Sequence, residues 1–183
     1  SRGECLQCHT EAAGRVLAED VRAPAPLPAF PVAMMDGYAL RVADLPAGPP
    51  HRLLVQGEAR AGSAPQRLEP GVACRIFTGA PLPEGADAVV MQEHVTRDGE
   101  AVVLSGTPAV GANYRRAGED LEAGAVGLAE GTRLEPPHVA FAAMLERAFL
   151  FVARRPVVAV LPTGDELRPP GSPGAPGTIA DSN

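Results

Sequence analysis

Apolar residues in this chain come in short runs punctuated by Gly and Pro. Stretches 36–42, 52–57, 72–77, 86–92 and 100–104 carry strand-like apolar patterns separated by turn chemistry, which predicts five short strands. Arg97-Asp98-Gly99-Glu100 is one such turn, and no long helical period interrupts the series. Between 72–77 and 86–92 lie Thr78-Gly79-Ala80-Pro81 and Pro83-Glu84-Gly85-Ala86-Asp87. Their prolines and glycines forbid a continued helix or central strand and predict a rigid connection. A rigid connection holds a hydroxyl, here Thr78, and backbone N–H groups at a defined place, as oxyanion ligands require. The five strands describe a β-rich unit over 27–120.

The pattern changes on both sides of that unit. Residues 11–20 predict a short helix running into a strand at 16–21, and Ala23-Pro24-Ala25-Pro26-Leu27-Pro28 then predicts extended chain linking two folding units. Beyond 120, Pro136-Pro137 opens a helix whose Phe141, Leu145 and Ala148 share one face. Glu135 before it and Arg147 near its end complement the helix dipole. Residues 149–152 predict another strand. Residues 157–161 are uninterrupted and β-branched, as expected of a strand buried on both faces of a parallel sheet. Pro162-Thr163-Gly164-Asp165-Glu166 follows at its carboxyl end, where open α/β sheets bind ligands. Only one strand of such a sheet is present, and 168–177 reads as a Pro/Gly-rich loop.

Composition narrows the class. A chain of 183 residues with 45% hydrophobic and 21% charged residues can bury a real core. Its net charge of −6, with two Tyr, five Phe and no Trp, argues against a nucleic-acid surface. No apolar run approaches a membrane span and no signal peptide is visible, so a soluble, cytoplasmic protein is expected. Cys5-Leu6-Gln7-Cys8-His9 matches the C-x-x-C-H attachment motif of c-type haem. That reading requires export and a haem-enclosing domain, and neither is visible; a zinc site would need a second Cys/His pair at finger spacing.

Five segments in order carry a family resemblance: Gly14-Arg15-Val16-Leu17-Ala18-Glu19-Asp20-Val21, Met35-Asp36-Gly37-Tyr38-Ala39, the stretch 75–93, Asn113-Tyr114-Arg115-Arg116-Ala117-Gly118-Glu119-Asp120, and Thr163-Gly164-Asp165-Glu166-Leu167. In this order they resemble the MoeA/gephyrin family of molybdopterin molybdenumtransferases, essentially continuously from 14 to 183. The resemblance implies a mixed α/β fold: a β-rich domain inserted into a small α+β domain, followed by the truncated start of an α/β domain. It assigns 1–26 and 121–153 to domain I, 27–120 to domain II, and 154–183 to the beginning of domain III.

The activity implied is insertion of molybdenum, from molybdate, into adenylylated molybdopterin, with release of AMP and assistance from magnesium. Anionic substrates call for N–H groups, hydroxyls and guanidinium forks, and magnesium for carboxylate oxygens and water. The resemblance therefore assigns Asp36, Asp120 and Glu166 to the metal or to water activation. Thr78, Arg115, Arg116 and Asp165 would hold the substrates. It also implies a homodimer sharing its sites between subunits, and a molybdopterin adenylyltransferase as upstream partner. The alternative is a non-catalytic binding or scaffold module of the gephyrin type.

Each residue also has an ordinary structural use. Asp36 favours a turn before Gly37, Arg115-Arg116 beside Glu119-Asp120 suits a solvated ion-pair face, and Thr163-Gly164-Asp165 suits a helix-cap or αL turn. His51, His94 and His138 lie outside any nucleophile motif and receive no role. Where the family reads N-S-A before M-D-G, this chain has Val32-Ala33-Met34, and Pro162 replaces a Ser before Thr163. If Cys5, Cys8 and His9 hold no haem, replacing both cysteines by Ser leaves the purified protein's absorbance in the Soret region unchanged.

Overall fold

A computed structural model describes residues 4–8 and 11–182. It is mostly β with one α-helix among the described residues. The strands are β1 (Glu4–Cys8), β2 (Val21–Arg22), β3 (Val32–Ala33), β4 (Gly37–Leu40), β5 (His51–Ala59), β6 (Val72–Ile76), β7 (Ala88–Met91) and β8 (Val95–Asp98). They continue as β9 (Ala101–Leu104), β10 (Tyr114–Arg115), β11 (Val126–Leu128), β12 (Phe149–Ala153), β13 (Leu167–Arg168) and β14 (Ile179–Ala180), with α1 at Pro136–Met144.

Six of these form one mixed sheet in the order β7-β4-β6-β5-β9-β8. All neighbours are antiparallel except β5 and β6. All five strands expected between 36 and 104 are in it, and the sixth, β8, closes onto β9 across the Arg97-Asp98-Gly99-Glu100 turn. Strands β4, β6, β7 and β9 are largely buried on both faces, which fits their apolar runs, whereas β5 begins as a buried/exposed alternation and β8 is mostly exposed. Ala39, Cys74, Ile76 and Val89 pack on one face with Ala33, Ala59, Leu68, Ala80 and Leu82. Tyr38, Leu40, Ala73, Ala88 and Val90 pack on the other with Leu53, Val102 and Leu104.

Edge strand β7 does not offer its backbone to solvent along its whole length. The Val89 N–H donates to the Ala112 carbonyl at 2.9 Å, and Asn113 Nδ2 donates to the Val89 carbonyl at 2.8 Å. The chain from 109 to 113 thus lies along the edge, which blunts edge-to-edge pairing.

A third core joins residues 12–23 to residues 121–152. Leu17, Val21 and Ala23 pack with Leu128, Leu134, Ala142, Leu145, Leu150 and Val152. Strand β1 pairs with β12, and β2 with β11, both antiparallel. Helix α1 starts at the expected prolines, and its Glu135 cap is reciprocal, the Glu135 N–H donating to His138 Nδ1 at 3.1 Å. Gly127 on β11 sits where an added Cβ would lie 2.6 Å from Leu145 Cδ1, so glycine lets the α1 end pack directly on the strand.

Three expectations change. Residues 11–20 form turns and isolated bridges rather than a helix running into a strand; Gly14 at φ +79° is one of those turns. The 23–28 chain is not among them: it stays free of helix and is held to 121–125 by Ala23 N–H to the Ala125 carbonyl and Leu27 N–H to the Leu121 carbonyl. Residues 157–161 are not a buried strand: Val157 is 99% and Leu161 84% exposed, and no strand is assigned there. A strand is held by its neighbours' hydrogen bonds, and none among the described residues pairs with this one. Within 168–177, expected as loop throughout, Arg168 instead ends β13, which pairs in parallel with β14. The C-x-x-C-H reading falls on His9, which lies outside the described residues, and on the side chains of Cys5 and Cys8, which lie outside them too. No helix among the described residues is long and apolar enough to cross a membrane.

Gly37 tests the sheet's central contact. It is buried on β4 between Ile76 and Met91, and an added Cβ would overlap the Val90 carbonyl oxygen. Gly37→Ala is expected to destabilise the chain by about 3 kcal/mol, the upper end for overpacking, read as a lowered urea midpoint by circular dichroism.

Candidate functional site

The site forms where three chain segments cross at one end of the sheet. Ala33 exchanges backbone hydrogen bonds with the rigid connection after β6: its N–H donates to the Ala80 carbonyl at 3.0 Å, and its carbonyl accepts from Gly79 N–H at 2.9 Å. One residue on, Met34 N–H donates to the Asn113 carbonyl at 2.9 Å, and β10 pairs with β3, placing Arg115 opposite Val32. The Asp36 carbonyl then accepts from Gln92 N–H at 3.0 Å as the chain enters β4. These bonds bring the Met35-Asp36-Gly37, Thr78-Gly79-Ala80 and Asn113-Tyr114-Arg115 segments together.

Asp36 is the best-defined chemical group there. Its Oδ1 accepts from the Thr78 N–H at 2.8 Å and from the Thr78 hydroxyl at 2.7 Å. These two bonds hold its carboxyl below the usual carboxylate range, the backbone bond first, with the nearby Arg75 charge adding to them and partial burial opposing. Oδ2 has no hydrogen-bond partner among the described residues, and Asp36 is half-buried rather than enclosed. An ionised carboxylate with one oxygen fixed and the other open is suited to take a cation or a polarised water.

Asp44 shows the contrast. Its carboxyl is also held low, by Arg41 and then by the Gly71 N–H. Both of its oxygens are used: Arg41 Nη2 lies 2.8 Å from Oδ1, while Arg41 Nε and the Gly71 N–H reach Oδ2 at 2.9 and 3.0 Å. That carboxylate is structural.

The two arginines behave differently. Arg115 is ion-paired to Asp120 and lies 3.9 Å from Glu119, on a segment tightened by the Arg116 N–H donating to Glu119 Oε2 at 2.9 Å. An anion reaching Arg115 must compete with these carboxylates. The Arg116 guanidinium is exposed and has no ion-pair partner among the described residues. Thr78 directs its hydroxyl proton to Asp36, which leaves the oxygen's lone pairs for an incoming donor.

Asp165 and Glu166 stand apart. Both are exposed, and among the described residues their side chains make no hydrogen bond or ion pair to Asp36, Thr78, Arg115 or Asp120. Among the described residues no group of three or more His, Cys, Asp or Glu is arranged to hold a metal. Asp36, Asp120 and Glu166 therefore do not make one ligand set here. Asp36 alone fits magnesium in a narrower sense, since that ion keeps several waters and takes one or two carboxylates beside substrate phosphates.

Two further residues shape the site without having been singled out from sequence. Asn113 adopts φ +56°, a left-handed conformation that Asn tolerates, and its amide bonds the β7 edge while its carbonyl holds Met34. Arg75 is a charged residue inside the apolar run 72–77, and that anomaly was the available signal. Of the histidines, His138 caps α1, and buried His51 has Nε2 2.8 Å from Thr107 Oγ1.

Residues 2–145 match the family described as the MoeA N-terminal region (domain I and II). The molybdopterin molybdenumtransferase of Haemophilus influenzae is 42% identical over 175 residues, covering 94% of this chain and 43% of that protein. Molybdopterin molybdenumtransferase 2 of Mycobacterium tuberculosis is 41% identical, over 95% of this chain and 44% of its own length. The solved structure of the molybdopterin biosynthesis MoeA protein from Pyrococcus horikosii superposes with a TM-score of 0.89 at 36% identity, covering 99% of this chain and 47% of that one. This chain thus spans less than half the length of these relatives.

Because Asp36 binds its proton less tightly when folded, its hydrogen bonds contribute stability fully above the unfolded carboxylate pKa, about 3.9. That contribution is lost as pH falls through the lower native value. Carboxyl carbon NMR is expected to show Asp36 titrating below the ordinary carboxylate range. In Thr78→Ala the midpoint rises but stays below the ordinary value, because the residue 78 N–H still donates.

Proposed function

This chain belongs to the MoeA family, matching its N-terminal domains I and II, and on that premise we propose that it supplies one face of a site that inserts molybdenum into molybdopterin. The substrates in this reading are molybdate and adenylylated molybdopterin, and AMP leaves. The observation that carries it is the Asp36 carboxylate, fixed by Thr78 through one oxygen and open at the other.

On this reading Asp36 provides an ionised oxygen to a hydrated magnesium ion, which supplies charge neutralisation beside the substrate phosphates when bound. Thr78 orients that carboxylate and offers its lone pairs to a substrate donor. Arg116 meets anionic groups directly, while Arg115, held by Asp120 and Glu119, shapes the segment and receives an anion only by exchanging partners. Asp165 and Glu166 act once further chain fixes the 154–183 segment against a neighbour. Opposite signs are thereby kept on adjacent but separate segments, which suits a reaction that handles a cation and several anions at once.

The domain reading follows the cores. The core joining 12–23 with 121–152 supports a domain I, read as 1–26 and 121–153, into which the β-rich unit of 27–120 is inserted as domain II. Residues 154–183 begin domain III. A homodimer would complete the site by bringing domain II of one subunit to domain III of the other. The adenylylated substrate places a molybdopterin adenylyltransferase immediately upstream, and such an exchange belongs in the cytoplasm.

A chimera in which this chain replaces the matching portion of the Haemophilus influenzae relative tests the proposal. It is expected to insert molybdenum, whereas this chain alone does not. Asp36→Asn in the chimera is expected to lower the rate roughly a hundredfold, as loss of a positioned reacting group does. The urea midpoint should stay near that of the parent, since Asn keeps an acceptor for Thr78. Equal loss of fold and activity would reduce Asp36 to a turn residue.

A further inference from the structure

We propose that Arg75 is the positioning residue that holds Asp36 and Thr78 together, a role that rests on the reading of Asp36 as the reacting carboxylate. Arg75 is the penultimate residue of β6, two residues before Phe77 and three before Thr78, opposite Tyr38 on β4. Both terminal nitrogens of its guanidinium are used. Nη1 donates to the Gly37 carbonyl at 3.1 Å, fixing the residue that follows Asp36. Nη2 donates to Gln92 Oε1 at 2.6 Å, and Gln92 in turn gives its N–H to the Asp36 carbonyl at 3.0 Å. Its plane also lies against two rings, with Cζ 4.7 Å from the Phe77 centroid and 5.1 Å from that of Tyr38.

The consequence is geometric. Gly37 and Gln92 set where the Asp36 backbone lies, and Phe77 sets where Thr78 begins. One planar group touches both sides of the Asp36–Thr78 hydrogen bonds. Arg60 approaches the Phe77 ring as well, with Cζ at 5.7 Å, but it is ion-paired to Glu58 and makes no bond to the Gly37 or Gln92 groups. Nor does Arg75 form an ion pair with Asp36 among the described contacts, so its charge stays near the carboxylate without occupying Oδ2. Lysine cannot replace it, since a point ammonium lacks the fork for two acceptors and the flat face for two rings.

The test reads the hydrogen bond itself in the full 183-residue chain. The scalar coupling between the Thr78 amide nitrogen and the Asp36 carboxyl carbon reports that bond, and amide exchange at Thr78 reports its strength. In Arg75→Met the coupling is expected to vanish and Thr78 exchange to quicken by about tenfold, the worth of one ordinary hydrogen bond. The Val102 amide, on β9 two strands away from β6, should keep its protection. Arg75→Lys, which keeps the charge and most of the stem, should show the same loss in weaker form, and it decides the matter should Arg75→Met unfold. Arg60→Met should leave the coupling intact. An unchanged coupling in the folded Arg75 variants, or a loss of protection spread evenly over the sheet, would overturn the proposal. Failure of the functional reading would be seen separately, as insertion activity indifferent to Asp36→Asn, with the coupling result standing.

Discussion

The close approach of β4 to the Val90 carbonyl is the constraint on which the rest depends. Only a residue without Cβ fits at Gly37, and its fit seats β4 between β6 and β7. Once β4 is seated there, the chain entering it must cross the end of the sheet. It then meets the rigid connection that leaves β6 and the segment that covers the β7 edge. Asp36, Thr78 and Arg115 come from positions far apart in sequence, and this crossing brings their segments into hydrogen-bonded contact. A glycine that reads as half of a turn dipeptide is in fact the residue that lets the central strand in.

Electrostatics at the crossing separates donors and acceptors by task. The carboxylate kept partly free is held by neutral donors, Thr78 N–H and hydroxyl, rather than by a direct ion pair. Charged partners hold the carboxylates that shape the fold instead, Arg41 through both oxygens of Asp44 and Arg115 through Oδ1 of Asp120. An ion pair would neutralise Asp36 toward a cation, whereas two dipolar donors keep its charge localised and available. The same distinction separates Arg116, exposed, from Arg115, engaged.

Much of the β-rich unit was legible because its strands are short apolar runs ended by Gly and Pro, and period and punctuation survive in one dimension. The helix start was legible from Pro136-Pro137, and the ordered resemblance to a family marked the 35–37, 78–80 and 113–115 segments that meet, but also 163–167, which stands apart. Pairing was not legible: nothing local to β5 and β6 states that they run parallel while every other neighbour is antiparallel. Residues 11–20 have helical spacing, but Gly14 in a left-handed turn and hydrogen bonds to 132–134 draw the chain into bridges instead. Residues 157–161 carry strong β-propensity, yet propensity makes a strand only where another strand accepts its hydrogen bonds. Arg75 went unassigned because its meaning lies in what surrounds it: two rings, a carbonyl and a glutamine that only the folded sheet assembles.

The exposed run at 157–161 has a bearing on how copies of this chain behave in concentrated solution. Five consecutive apolar residues, most of them β-branched and accessible, are the kind of segment that stacks into intermolecular β-structure. Arg154, Arg155 and Pro156 stand immediately before it and Pro162 immediately after. Two prolines with no N–H to donate bracket a window shorter than the six or seven residues a steric zipper prefers, and two like charges repel their counterparts in any parallel register. The run is therefore left sticky enough to find a sheet that offers it an edge, and guarded against finding only its own copies.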